Sequence, residues 1–286
     1  MSHAALLLTL ASAVMHATWN YWLKRSEDRA NVIFGAGYVT VALGLPLYLA
    51  WGTPRALLGP VGLYVAASAV IHYAYRALLA ATYDRAELSQ SYPVVRSAPI
   101  LVALGAVFFL GERVPALGWA GILTTVGGIY VLYHKELASL GRGGSLRGLG
   151  YAAATMLSIT CYSLVDKIGV SLGTLHPAEF FYCYDALLSL LYTATLRGAK
   201  VRALRRVYRR ELGRTVGIAL LEPLSYILIL TAFTTAPVSY VVSVRQVSVV
   251  VAAALGVVLL RERAGGSRLA GAALVVAGVA LLKLAG

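Results

Sequence analysis

Apolar residues fill the chain in stretches of about twenty, and between them charges, Pro and Gly gather in short clusters. A hydrocarbon core about 30 Å thick takes roughly 20 helical residues to cross, so each stretch predicts a membrane-spanning helix. Cutting at the polar clusters gives ten spans, near 4–23, 32–51, 60–82, 87–110, 115–133, 148–166, 177–196, 215–235, 237–260 and 268–285. No connection between them is long enough for a soluble domain. Inside the spans, polar residues recur three or four positions apart, the spacing of one helix face. The first span has Ser12, His16 and Asn20, the third Ser68, His72 and Arg76, the fourth Tyr92 and Arg96, the sixth Ser158, Tyr162 and Asp166. The seventh has Tyr182, Asp185, Ser189 and Tyr192, the eighth Glu222 and Tyr226, the ninth Ser239, Ser243 and Gln246. These stripes predict wet faces turned to a shared cavity.

The pattern repeats. Leu110-Gly111-Glu112-Arg113 returns as Leu260-Arg261-Glu262-Arg263 at an offset of 150, which also pairs Ala86 with Ala236, Ser89 with Ser239, Gly121 with Gly271 and Gly128 with Gly278. Five spans is an odd number, so a second copy enters the membrane in the opposite sense. The expected fold is therefore an all-α integral membrane protein of ten transmembrane helices in two inverted five-helix repeats, residues 1–140 and 141–286. In many secondary transporters of this architecture the substrate site lies near the midplane, between the repeats.

Composition narrows the class. Of 286 residues, 59% are hydrophobic and 13% charged, against about 25% charged in a typical soluble domain, and the mean hydropathy is +0.75. A soluble enzyme, a disordered chain and a nucleic-acid-binding domain are all disfavoured. The net charge of +13 is spread between apolar stretches, where it reads as a topology signal, so the lipid bilayer is the expected partner and nucleic acid is not. Cys161 and Cys183 lie inside apolar stretches and form no metal-ligand spacing, so neither a disulfide framework nor a metal or other cofactor is expected. The weak Ala11-Ser12-Ala13 pattern lacks a basic start, and the first stretch reads as a retained span. A multi-pass protein of the inner or plasma membrane is expected, and a frame of this length can work as a monomer.

Three motifs carry a family resemblance: His16-Ala17-Thr18-Trp19-Asn20 followed by Lys24, Ser97-Ala98-Pro99 leading into Leu110-Gly111-Glu112-Arg113-Val114, and Leu260-Arg261-Glu262-Arg263. They resemble the drug/metabolite transporter superfamily, specifically its EamA-type ten-helix members, over essentially the whole chain. Arg261 departs from the Gly usual at that position. The resemblance implies two inverted five-helix repeats around a central cavity and transport of small organic metabolites without ATP. It also implies cytoplasmic termini. The charges oppose that: counting Arg268 at the edge of the last span, 18 of the 25 Lys and Arg fall in or border the loops joining spans 1–2, 3–4, 5–6, 7–8 and 9–10, which the positive-inside rule places in the cytoplasm with both termini outside.

Three arginines, Arg76, Arg96 and Arg245, fall well inside spans 3, 4 and 9, where ionisable groups are costly and by default functional. The offset maps Arg96 onto Gln246, next to Arg245, so two arginines can converge on one midplane anion, gripping a carboxylate or phosphonate with paired hydrogen bonds. Pairing with Glu179, Asp185 and Glu222 is the plainer reading. His16 is either a proton-sensitive cavity residue or a packing residue, and His72 likewise. Trp19 and Asn20 can form a binding wall, although Trp19 equally suits an interfacial anchor. Glu222, at a Glu222-Pro223 kink, is with His16 the candidate for ion coupling. Tyrosines outnumber phenylalanines 18 to 6, and Tyr92, Tyr182, Tyr226 and Tyr240 can hold an amine by cation–π contact. The expected function is secondary transport of a small polar organic solute, plausibly anionic or zwitterionic such as an amino acid or aminophosphonate, with proton coupling as an option. Export of amphipathic or cationic compounds is the alternative, ahead of a channel or lipid scramblase. No nucleophile, metal cluster or acid pair at catalytic spacing emerges, since Glu179 and Asp185 lie on roughly opposite helix faces, so enzymatic activity is not expected.

Overall fold

A computed structural model of the chain describes residues 1–85, 93–134, 146–260 and 265–286, and among them helices dominate and no strand occurs. In order these are α1 (His3–Lys24), α2 (Arg29–Trp51), a 3-10 turn (Pro54–Leu58), α3 (Pro60–Arg85), α4 (Ala98–Leu110), α5 (Ala116–Leu132), α6 (Leu146–Ser171) and α7 (Pro177–Ala194). There follow α8 (Gly198–Arg210), α9 (Leu212–Thr235), α10 (Val238–Val244), α11 (Val247–Leu260) and α12 (Gly266–Ala285).

The exterior differs from that of a water-soluble protein. Leu49, Phe108 and Phe109 are 76%, 78% and 81% exposed on the outside, whereas Asp166 and Asp185 are fully buried. An outer apolar coat, with charged groups held inside an otherwise apolar core, fits hydrocarbon as solvent. Seven segments are long and apolar enough to cross a membrane: α2, most of α3, Pro93–Leu110, most of α6, α9, Val238–Leu255 and α12. The ten spans expected from hydropathy exceed that number because α5 has 17 residues, while α1 and α7 carry polar groups such as His16, Asn20, Glu179 and Asp185.

Local chemistry sets the ends. Ser2 Oγ accepts from the Ala5 amide at 3.1 Å and Asp28 Oδ1 from the Asn31 amide at 3.1 Å, both N-caps. α4 ends at Gly111, whose φ of 67° is left-handed, a C-terminal stop that a residue without Cβ adopts freely. The chain then presents Glu112 to the start of α10, where the carboxylate accepts from the Val238 amide at 2.6 Å and the Ser239 hydroxyl at 2.7 Å. An anion at a helix N-terminus meets unpaired amides and the positive end of the macrodipole. The first Leu-x-Glu-Arg motif thus ties the fourth span to the ninth; Arg261, Glu262 and Arg263 of the second copy lie outside the described residues.

Packing repeats across the chain. α1 runs along α9 and α3 along α6, while α5 pairs with α12. In that last pair, a Cβ on Gly121 would come within 2.9 Å of the Gly278 carbonyl, and one on Gly128 within 2.8 Å of the Gly271 carbonyl. Backbones touch at both crossings, which only glycine permits. One end of the molecule gathers the termini, with Lys283 Nζ donating to the Met1 carbonyl at 2.8 Å. The other joins the α1–α2 turn to the foot of α9, where Glu211 accepts from the Glu27 amide at 3.1 Å.

Two features depart from uniform spans. Span 9 is broken at Arg245 and Gln246, between α10 and α11, and Arg96 with Ser97 forms a turn between the helical residues 93–95 and α4. The basic segment expected as a simple loop between spans 7 and 8 is instead the helix α8.

Candidate functional site

Both breaks carry an arginine into the middle of the bundle. At the first, Pro99 lacks an amide to continue the ladder, and Ser97 Oγ donates to the Pro93 carbonyl at 2.9 Å. At the second, amides shift to partners three residues back, Gln246 to Ser243 at 3.1 Å and Ser248 to Arg245 at 3.0 Å. Such a tightened turn commonly marks a functional site. Arg245 Nη2 lies 3.1 Å from His16 Nδ1, and Arg96 Nη2 lies 3.4 Å from His16 Nε2. Asn20, one turn along α1, donates to the His16 carbonyl at 2.8 Å and stands 3.2 Å from Nε2. Three N–H donors thus face a ring whose neutral form has one lone pair. Arg245 also lies 5.3 Å over the Tyr226 ring, and its Nε is buried with no partner.

These groups surround a cavity of about 40 Å³, lined among others by His16, Asn20, Tyr75, Arg96, Tyr162, Tyr226, Arg245 and Gln246. That volume holds roughly three waters. Trp19 abuts the site through an edge contact with His16 at 5.0 Å, and Gln246 Oε1 is buried without a partner.

Arg76 forms a separate cluster. Its Nη2 donates to Asp185 Oδ1 at 2.8 Å and to Glu222 Oε1 at 3.0 Å. Gly37 of α2 makes room, since a Cβ there would meet Arg76 Nη1 at 3.0 Å. The pairing expected as the plainer reading therefore holds for Arg76 with Asp185 and Glu222. Glu179 stands apart, at the end of the bundle, where its carboxylate takes the Thr53 amide and hydroxyl. Tyr75, the residue before Arg76 in α3, lines the cavity with Arg96 and Arg245, joining the two clusters.

A third cluster centres on Asp166. Its Oδ2 accepts from the Tyr226 hydroxyl at 2.6 Å and stands 3.0 Å from His72 Nε2. The His72 ring is stacked between Tyr162 at 4.1 Å and Tyr184 at 4.6 Å. Asp166 was legible only as part of a stripe, and Tyr75 not at all; the signal for Asp166 was its place three to four residues from Tyr162.

The remaining candidates lie elsewhere. Tyr182 stacks on Tyr48 at 4.9 Å in a lateral apolar groove of about 490 Å³ between α2, α7 and α9. Tyr240 sits at the end that holds the termini, beside Gly118 and Gly286. Tyr92 lies outside the described residues. Among the described residues no group of three His, Cys, Asp or Glu is placed to hold a metal ion.

A model of the EamA-like transporter family matches the chain twice, over residues 3–134 and 146–284. A solved crystal structure, described only as that of a protein, is 20% identical, with a TM-score of 0.72 over 99% of this chain and 99% of its own. That likeness speaks to the fold. No curated protein sequence matches the chain.

Proposed function

Because the chain belongs to the EamA-like transporter family, as an integral membrane protein with several spans, we propose that it is a secondary transporter of a small polar solute bearing an acidic group. The solute is anionic or zwitterionic, in the class of amino acids and aminophosphonates. One observation carries this: Arg96 and Arg245, from two interrupted helices, converge on the single imidazole of His16. A carboxylate or phosphonate offers several lone pairs where the ring offers one, so it would draw both guanidiniums from His16. An amine on the same solute would face Glu222, whose side chain is 16% exposed, across Tyr75. Glu222 and His16 are the groups through which a proton would couple.

The reading includes ten spans, with α1, α5 and α7 completing the set, in two inverted repeats over 1–140 and 141–286. The matching helix pairs and the reciprocal glycine crossings of α5 and α12 support it. A cavity of about 40 Å³ is well below the few hundred Å³ of ordinary ligand sites. Loading therefore requires the repeats to rock apart, and the breaks beside Arg96 and Arg245 are the natural hinges. The protein acts in the bilayer without catalysis, cofactor or nucleic acid, and a frame of this length can work as a monomer.

Flux into proteoliposomes, over a panel of amino acids, aminophosphonates and quaternary amines, tests the proposal. Saturable transport of an acidic solute is expected, with Arg96→Ala and Arg245→Ala each lowering kcat/KM about 10- to 100-fold, the worth of one charge-assisted hydrogen bond. Undiminished transport by both variants would remove the clamp. The lateral groove beside Tyr48 and Tyr182 favours a second reading, export of amphipathic cations entering from lipid. Its mark is cation flux insensitive to both arginine variants and lost in Tyr182→Ala.

A further inference from the structure

α8 reads Gly198-Ala-Lys-Val-Arg-Ala-Leu-Arg-Arg-Val-Tyr-Arg-Arg210. Its two faces differ sharply. Leu204, Val207 and Tyr208 turn inward: Val207 is buried, and Leu204 Cδ1 lies 3.1 Å from where a Gly35 Cβ would stand. The Tyr208 hydroxyl donates to the Gly35 carbonyl at 2.8 Å. Burial and the nearby Tyr38 hydroxyl raise the Tyr208 phenol above its ordinary range. On the opposite face Arg202, Arg205, Arg206 and Arg209 are all exposed, at the three- and four-residue spacing of one stripe.

Position adds the second half. Gly35 is six residues into α2, about 9 Å below its first residue at 1.5 Å per residue. The contact thus holds α8 beside the first two turns of α2, at one end of a helix long and apolar enough to cross a membrane, the level at which an interfacial helix meets headgroups. The acids that share a groove with Arg206, namely Glu27, Asp28 and Glu211, are engaged elsewhere: Glu27 lies 3.9 Å from Arg210, Asp28 accepts from Asn31 and Glu211 from Arg214 at 3.0 Å.

We propose that the basic face of α8 binds the headgroups of anionic phospholipids. A helix with an apolar face and a polar face rich in Lys and Arg suits that interface, and each such residue near an anionic surface adds attraction. Anchored by its apolar face to α2, α8 needs no folding on contact.

Thermal unfolding of the purified protein in neutral detergent, titrated with phosphatidylglycerol or phosphatidylcholine, tests the assignment. Phosphatidylglycerol should raise the midpoint by several degrees and phosphatidylcholine should leave it unchanged. The triple variant R202Q/R205Q/R209Q should keep the lipid-free midpoint and need at least about tenfold more phosphatidylglycerol for the same rise. For the wild type alone, about 0.5 M NaCl should erase most of the effect, a readout that stands even if the variant fails to fold. Equal stabilisation by both lipids, indifference to salt, or an undiminished response in the variant would overturn the proposal. So would inorganic phosphate reproducing the shift, which would make the face a free-anion site, or a short RNA displacing the lipid, which would make it a nucleic-acid surface.

Discussion

Arg76 compensates two carboxylates at once, Asp185 from α7 and Glu222 from α9. With the guanidinium gone, two acids face each other out of water, so Arg76→Leu should destabilise by about 3–5 kcal/mol, read as a fall in the thermal midpoint. Adding Asp185→Asn should recover part of that loss, because contacting residues do not act additively. Which residues face inward was legible in the sequence. A polar group aimed at lipid is costly, so the stripe of Ser12, His16 and Asn20 had to turn to the interior. Their partners were not legible. Helical period orients a side chain on its own helix but says nothing about which helix stands opposite, so the three arginines and three acids could not be matched one to one: Arg76 takes both Asp185 and Glu222, while Glu179 caps Thr53.

The pairing of α5 with α12 rests on backbone contact, and its glycines are not equivalent. A Cβ on Gly278 would come within 2.6 Å of the Thr125 amide, while nothing stands within 4 Å of one on Gly127. Gly278→Ala should therefore lower the thermal midpoint, and Gly127→Ala should hold or raise stability by up to about 1 kcal/mol, since alanine is the better helix former. The breaks in spans 4 and 9 were unequally visible. Pro93 and Pro99 mark the first, whereas no Pro or Gly lies near Arg245, and a tightened turn among valines and serines leaves no trace in hydropathy. A tyrosine is at home both in a packed interior and at the membrane interface, so its place in a stripe specifies its surroundings weakly; Tyr182 and Tyr240 stand away from the cavity. α8 was hidden by its charge density, which hydropathy reads as loop.

Across the whole molecule, the end bearing Lys24, Arg25 and α8 is strongly basic and the termini lie at the other. The positive-inside rule puts the basic end in the cytoplasm. Cysteine labelling in intact cells checks this: Arg206→Cys should stay unlabelled by an impermeant reagent, and Leu58→Cys, on the Pro54–Leu58 turn at the opposite end, should react. Among the described residues deep in the bundle, Arg76, Arg96 and Arg245 stand against Asp166, Asp185 and Glu222, equal in formal charge. That balance has an electrical consequence. An empty carrier with a neutral core can reorient without sensing the membrane voltage, whereas one holding a monoanion and no proton moves an unmatched charge, a difference of about 2.3 kcal/mol per 100 mV for a full crossing. Electrometry on a supported membrane should then record a current on addition of a solute with a net negative charge, and an electrically silent cycle with that solute would mean that each anion travels with a proton, whereas a net-neutral zwitterion should be silent without one.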